Sequence, residues 1–332
     1  MSKIIPIQIV NADGPENLQI RFLLTDVCNY KCSYCFPGSN NGNYRFPKNN
    51  DTVIKNFQRL LDEYKSKLGK TKFNIHLTGG EPTLWPGITK FCEELKKSHD
   101  VEITLITNGS RTLEWWGNNS KYFYDVMLSC HHEFTDVNHL INVADLLFSN
   151  DVKVACSVLM DDRQWDKCVA IVEQMKTSKF AWPIHTKEIV SIPGIGMDAY
   201  TEDQLAYLNG NLKRFPSKEY FLKHIKSIRY YESIVTLTDN STKEANSNTY
   251  ITHKWNNFKG WSCDVALETL LITWDGSITG SCQEPVFNTS FNIYSEKFAD
   301  EFKLDADFKS IICPRTSCDC APETHISKRL IL

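Results

Sequence analysis

No stretch of this 332-residue chain reaches the ~18 consecutive apolar residues that a membrane-spanning helix needs. The opening residues, MSKIIPIQIVNADG, hold an apolar run too short for a secretory signal, so the expected compartment is the cytoplasm. An excess of either charge is also missing. With 37 Lys and Arg against 40 Asp and Glu, the formal net charge is −3, which gives no basic field to make nucleic acid the default partner. There is no internal repeat and no low-complexity tract. What remains is an ordinary globular composition, 42% hydrophobic, long enough for one large domain or a domain with a smaller appendage.

Cysteine is plentiful, at 12 residues, and unevenly placed. In a reducing compartment, clustered cysteines are more often metal ligands or catalysts than disulfides. Cys28, Cys32 and Cys35 crowd the stretch TDVCNYKCSYCFPG, and Cys263, Cys282, Cys313, Cys318 and Cys320 fill the last quarter. Cys92, Cys130, Cys156 and Cys168 are scattered between them and suit core packing.

Strand and helix patterns alternate along the chain. Residues 18–25 (LQIRFLLT) put Ile20, Phe22 and Leu24 on one side of a first strand that ends where the cysteine loop begins. Residues 51–68 repeat apolar side chains at intervals of three and four, with Asp51 as the expected N-cap and Gly69 as the stop. Further strands are expected at 73–77, 102–107, 125–129, 152–160 and 185–192, with helices at about 88–98, 137–149 and 163–177. Six β-α units predict a parallel sheet, open or closed only partly into a barrel rather than an eight-fold one. Ligands of such folds sit at the carboxyl ends of the strands. The cysteine loop, TGGEP (78–82), TNG (107–109) and SCHHE (129–133) all fall there.

Three thiolates within eight residues leave one corner of a zinc tetrahedron empty. An iron-sulfur cube has four irons, so the same three thiolates leave one iron open to bind something else. No fourth cysteine lies nearby, and the spacing is not that of bacterial ferredoxins. On this loop, with aromatic Tyr34 before its last cysteine and with Gly79-Gly80-Glu81-Pro82 after the next strand, the chain resembles the radical SAM superfamily.

The resemblance implies a partial (β/α)6 TIM-type barrel over about residues 15–195, with a small cysteine-rich α+β extension. It implies that Cys28, Cys32 and Cys35 hold a [4Fe-4S] cluster whose fourth iron is chelated by S-adenosylmethionine (SAM). Gly79 and Gly80 are expected to let backbone approach the methionine end of SAM, where a Cβ would hold it off. Glu81 is expected to accept from its ammonium, with Pro82 completing the motif. Thr107, Asn108, Gly109, Ser129 and His131 resemble positions that contact the methionine or ribose. A reduced flavodoxin or ferredoxin is the implied electron donor.

In the last quarter, GWSCDVALETLLITWDGSITGSC (260–282) reads as two short runs joined by a hairpin turn at Asp275-Gly276, which returns Cys282 toward Cys263. CPRTSCDC (313–320) adds three cysteines. This resembles the SPASM/twitch extension, shortened to one auxiliary [4Fe-4S] cluster drawn from Cys263, Cys282, Cys313, Cys318 and Cys320. A zinc-ribbon-like staple is the alternative that the same residues allow. The division expected is 1–195 for the barrel core, 196–257 for a helical and linker region, and 258–332 for the extension.

Between these parts, Lys218, Lys223, Lys226 and Arg229 read either as the solvated back of a helix or as a basic wall for an anionic substrate. Cys130 and Cys156, in barrel strands, would donate a hydrogen atom to a product radical if they faced the substrate. A small-molecule or peptide substrate undergoing dehydrogenation, cross-linking or epimerisation is the expected function. A maturation enzyme for another protein and a non-catalytic iron-sulfur electron carrier are the alternatives.

Overall fold

The structure, a computed structural model, describes residues 4–35, 40–180, 182–189, 200–211, 233–245, 249–250, 253–280, 287, 290–305, 308–318 and 325–331. The basic segment around Lys218 to Arg229, and Cys282 and Cys320, lie outside them. Among the described residues no helix is long and apolar enough to cross a membrane.

The barrel half follows the expected alternation. After β1 (Pro6–Asn11) come β2 (Asn17–Thr25), α1 (Asn50–Leu68), β3 (Lys72–Gly79), α2 (Ile88–Ser98), β4 (Val101–Thr107) and α3 (Leu113–Asn119). β5 (Asp125–Cys130), α4 (Val137–Ser149), β6 (Lys153–Met160), α5 (Trp165–Met175), β7 (Ile184–Glu188) and α6 (Glu202–Asn211) complete it. Strands β2 to β7 pair in parallel in chain order. Among the described residues hydrogen bonds do not close the sheet, which suits a partial barrel. α3 is an addition to the sequence reading: Thr112 caps it by accepting from the Trp115 N–H. α1 begins one residue early, because Asn49 and not Asp51 is the cap, its Oδ1 accepting from the N–H groups of Asp51 and Thr52. Gly69, at φ 67°, ends it as expected.

Strand parity sorts the side chains. Ile20, Phe22, Ile75, Leu77, Ile103, Leu105, Val126 and Leu128 are fully buried against the helices. The opposite parity faces the lumen in rows fixed by the register. Arg21, His76, Thr104, Asp125 and Lys153 form a polar row, and Leu23, Thr78, Ile106, Met127 and Ala155 a mostly apolar one above it. Ser129, Ser157 and His185 form the next row in register.

Part of the last quarter pairs with the barrel sheet. After β8 (Ser233–Leu237), β9 (Thr242–Ala245), β10 (Ser262–Cys263) and α7 (Val265–Glu268), the expected hairpin forms from β11 (Thr269–Ile272) and β12 (Ile278–Thr279), with Gly276 at φ 86° in its turn. β11 pairs in parallel with β2, so the hairpin extends the barrel sheet. α8 (Phe298–Glu301), β13 (Ile311–Ile312) and β14 (Lys328–Arg329) follow. A second sheet, ordered β13-β10-β14-β1-β8-β9, takes in the first strand of the chain. α1 grips the returning chain through polar side chains: Asn56 Nδ2 donates to the carbonyls of Ile293 and Ser295, each at 2.8 Å, and Glu63 accepts from the Leu304 N–H at 3.0 Å.

Candidate functional site

The cysteine loop leaves β2 at Thr25 and is anchored before its first cysteine. Asp26 is buried, and its carboxylate accepts from the N–H groups of Asn43 and Tyr44 at 2.9 and 2.7 Å, closing the loop on itself. Cys28, Cys32 and Cys35 are half-buried. Burial raises the Cys28 thiol, against an N–H donated by Tyr30. Burial, then the charges of Cys28, Glu133 and Cys35, push Cys32 up to about 12. Each of these two thiols senses its neighbours, so ionising them together needs a cation, and binding one releases protons.

Cys28 and Cys35 open onto a cavity of about 740 Å³ at the carboxyl ends of the strands. Its wall includes Tyr34, Gly79, Gly80, Thr107, Asn108, Ser129 and His131, the residues expected there. Asn108 reaches toward the loop, its Nδ2 donating to Asn29 Oδ1 at 2.9 Å and lying 3.8 Å from Cys28 Sγ. His131 is held neutral to about pH 4 by burial and by His132 beside it. Its Nδ1 stands 3.3 Å from the Tyr34 hydroxyl.

The glycine pair, besides lining the cavity, lets the turn dock on the cysteine loop. A Cβ on Gly79 would stand 2.3 Å from the Thr25 carbonyl oxygen, and one on Gly80 2.3 Å from that of Val27. Both collisions are with the backbone that starts the cysteine loop. The absent side chains let the turn dock there, with Gly80 N–H donating to Thr25 O at 2.6 Å and Glu81 N–H to Val27 O at 2.8 Å. Gly79 also has φ 125°, a conformation for which glycine is suited.

Glu81 differs from its expected role. Its fully buried carboxylate is engaged inside the protein. Oε1 accepts from the Thr83 N–H (3.0 Å), the Thr83 hydroxyl (2.6 Å) and the Thr107 hydroxyl (2.7 Å), and Oε2 from the Asn108 N–H (2.7 Å). The group ties the glycine turn to the loop after β4 and is not on the cavity wall; Pro82, likewise buried, is not either. Cys130 and Cys156 share strand parity with Leu128 and Val154, are fully buried in the core, and do not line the cavity. Ser129 and Ser157 occupy the facing positions.

Sequence reasoning missed Ser157, His185, Lys187 and Glu188, which complete the far wall. For Ser157 the signal was parity, a polar residue opposite the apolar face of β6; β7, with four consecutive polar residues after Ile184, carries no such alternation.

A second thiol group lies in the other sheet. Cys263, Cys313 and Cys318 are buried in one apolar cluster with Phe258, Trp261 and Ile326. Cys313 exchanges backbone hydrogen bonds with Gly260 and Trp261, and burial, opposed by Lys328, raises Cys263 to about 11. Among the described residues no three or more His, Cys, Asp or Glu side chains are grouped so as to hold a metal ion.

Three coupled thiols in one loop, two opening onto a cavity beside a glycine turn, suit a cluster ligated by three cysteines with a cofactor beside it. A model of the Radical SAM superfamily matches residues 22–129. The chain is 31% identical over 119 residues to a GTP 3',8-cyclase of Actinobacillus pleuropneumoniae serotype 5b (strain L20), covering 32% of this chain and 33% of that protein. It is 28% identical over 154 residues to an S-adenosylmethionine-dependent nucleotide dehydratase of Thermoplasmatales archaeon (strain ISO4-H5), covering 42% and 51%. The match thus spans a third to a half of these curated relatives. Among solved structures, native anSMEcpe with bound AdoMet and Kp18Cys peptide shares the fold at a TM-score of 0.52 and 17% identity, over 86% of this chain and 80% of that one. The cysteine loop and the glycine turn at the next strand end both fall within residues 22–129, the part of the chain that matches the Radical SAM superfamily.

Proposed function

We propose that the protein is a radical SAM enzyme whose Cys28, Cys32 and Cys35 hold a [4Fe-4S] cluster with SAM beside it, and which abstracts hydrogen from a small anionic substrate. The observation that carries this reading is the single cavity onto which Cys28, Cys35, Gly79 and Gly80 open together. Cys28, Cys32 and Cys35 would hold the cluster, which when bound and reduced would supply the electron for reductive cleavage of SAM and so the hydrogen-abstracting chemistry.

The chain's part is positional. Glu81 fixes two of the loops around the cavity, and Asn108 holds Asn29 beside Cys28. Ile106 and Met127 put apolar surface on the wall, which keeps the reaction from water. Lys187 places a cation there for an anionic substrate. The names of the two relatives, acting on GTP and on a nucleotide, support a phosphorylated substrate. Cys263, Cys313 and Cys318, with Cys282 or Cys320, are proposed to hold an auxiliary [4Fe-4S] cluster. Reduced flavodoxin or ferredoxin is the proposed donor and the cytoplasm the proposed compartment. Action on another protein is the second reading, supported by the peptide in the solved relative.

Anaerobically reconstituted protein with dithionite and SAM should form 5′-deoxyadenosine, and Cys32→Ala should abolish it. About eight irons per chain would indicate two cubes and about four only the first. GTP and a cysteine-containing peptide, tested in parallel, should separate the substrate classes by which one raises 5′-deoxyadenosine formation. No 5′-deoxyadenosine from iron-loaded protein would refute the proposal.

A further inference from the structure

Four consecutive residues after β5 each touch the cysteine loop. His131 lies parallel to the Tyr34 ring with centroids 6.0 Å apart, and meets Tyr30 edge-on at 6.1 Å. His132 is parallel to Tyr34 at 5.2 Å. Glu133 accepts the Ser33 N–H at 2.7 Å and the Ser33 hydroxyl at 2.5 Å, and Phe134 stacks on Tyr30 at 5.5 Å. The segment is itself held in shape. Thr135 Oγ1 accepts from the His131 N–H, the N–H groups of Phe134 and Thr135 donate to the His131 carbonyl, and Asp136 caps α4 at His139. Behind it, His132 Nε2 stands 3.6 Å from Asp161, whose carboxylate is paired with Arg163 at 2.9 Å.

The loop needs such support. From Cys28 to Cys35 it has no helix or strand, and its own internal backbone hydrogen bond is Cys35 N–H to Cys32 O at 3.1 Å. Its other outside anchors are on the far flank, where Asn29 Nδ2 donates to Ser110 and Asn29 Oδ1 accepts from Asn108, and at Asn40, whose Nδ2 donates to Tyr30 O at 3.0 Å and whose side chain accepts from Lys31. We propose that His131–Phe134 form a preformed clamp that holds the cysteine loop in its cluster-bearing shape before any metal arrives, with Glu133 as the positioning residue that fixes Ser33 between Cys32 and Cys35. A carboxylate suits this place because it takes both donors of one serine at once, and those bonds are stronger to a charged acceptor. It holds Ser33 by its N–H and its hydroxyl, so it sets loop shape through that residue, while its charge disfavours the neighbouring Cys32 thiolate.

The clamp is tested on the metal-free full-length chain by amide hydrogen exchange. Glu133→Ala should speed exchange at Ser33 about tenfold, the effect of losing one such bond, with the α4 core unchanged. Glu133→Gln, which keeps an oxygen acceptor, should restore most of the protection. Ser33→Ala should lose the hydroxyl contact and keep the protected amide. After reconstitution, Glu133→Ala should release iron to a chelator several-fold faster than wild type and show a broadened cluster spectrum, and Glu133→Gln should not. Equal Ser33 exchange in wild type and Glu133→Ala would overturn the clamp. The chelator arm rests on the cluster reading and the exchange arm does not: wild-type chain that takes up no iron would refute the cluster alone.

Discussion

Gly80→Ala separates two explanations of the glycine turn. If the glycine only makes room for a cofactor, the variant folds as stably as wild type and merely binds SAM less well. The structure gives another answer. The new Cβ would stand 2.3 Å from the Val27 oxygen, 2.6 Å from its carbonyl carbon and 2.9 Å from that of Asp26. Ordinary C···O separations begin at about 3.3 Å, so the two backbones must part by about 1 Å. That stretches the 2.6 Å bond from Gly80 N–H to Thr25 O and the 2.8 Å bond from Glu81 N–H to Val27 O past useful length. Two lost hydrogen bonds together with the strain of an overfilled contact amount to about 2–6 kcal/mol. Urea unfolding of the metal-free chain should show this loss, and reconstitution should yield less iron because Asp26 and Val27 lead directly into Cys28. A metal-free variant within about 0.5 kcal/mol of wild type, weakened only in SAM binding, would refute the reasoning.

Glu81→Ala leaves four buried donors without their acceptor and should destabilise the chain by about 3–5 kcal/mol in denaturant titration, whereas Glu81→Gln, which retains an oxygen, should cost less; equal stability of the Ala variant and wild type would contradict the tie. His76 is held down to about 4 by burial, then by Arg21 and His325. The unfolded chain therefore takes up this proton near pH 6.5 while the folded chain does not, and stability should fall by at most about 3 kcal/mol between about pH 6.5 and 4. His76→Gln should flatten that fall in unfolding curves at the two pH values. Cys130→Ala and Cys156→Ala should each lower stability by about 1 kcal/mol and leave turnover per folded chain unchanged; turnover lost at full stability would restore a chemical role for the thiol.

Much of the barrel was legible because its cues are local. The strands at 17–25 and 125–130 and the helices at 88–98 and 137–149 follow from apolar periodicity, and the carboxyl-end rule then gathers the functional loops. What was not legible depends on neighbours distant in sequence. Nothing in TLLI announces that it lies parallel to β2, and nothing in PIQIVN announces that it joins a sheet with residues 328–329. The sidedness of Cys130 and Cys156 was legible in principle, since each continues an apolar parity that includes Leu128 and Val154. Glu81 was misassigned because a carboxylate beside a binding loop reads as a ligand for cations, and only the fold reveals four donors already aimed at it.

The order of rows in the lumen argues where the charge of a substrate must sit. At the floor of the cavity, Ile106 and Met127 of its wall continue with Leu23 and Ala155 into a mostly apolar belt, with Thr78 its polar member. Arg21, His76, Asp125 and Lys153 lie beneath it. An anionic group reaching those deeper charges would have to pass the belt, and shedding water there costs several kcal/mol. At the rim no apolar belt has to be crossed: Lys187 is exposed there, with the Glu188 carboxylate next to it setting the side from which an anion approaches, and burial lowers His185 on the same wall. The uncharged part of a substrate would then fall toward Met127 and Ile106. A substrate bound by its anion at β7 would thus extend across the cavity toward Gly79 and the cysteine loop, the direction that the proposed hydrogen abstraction would require.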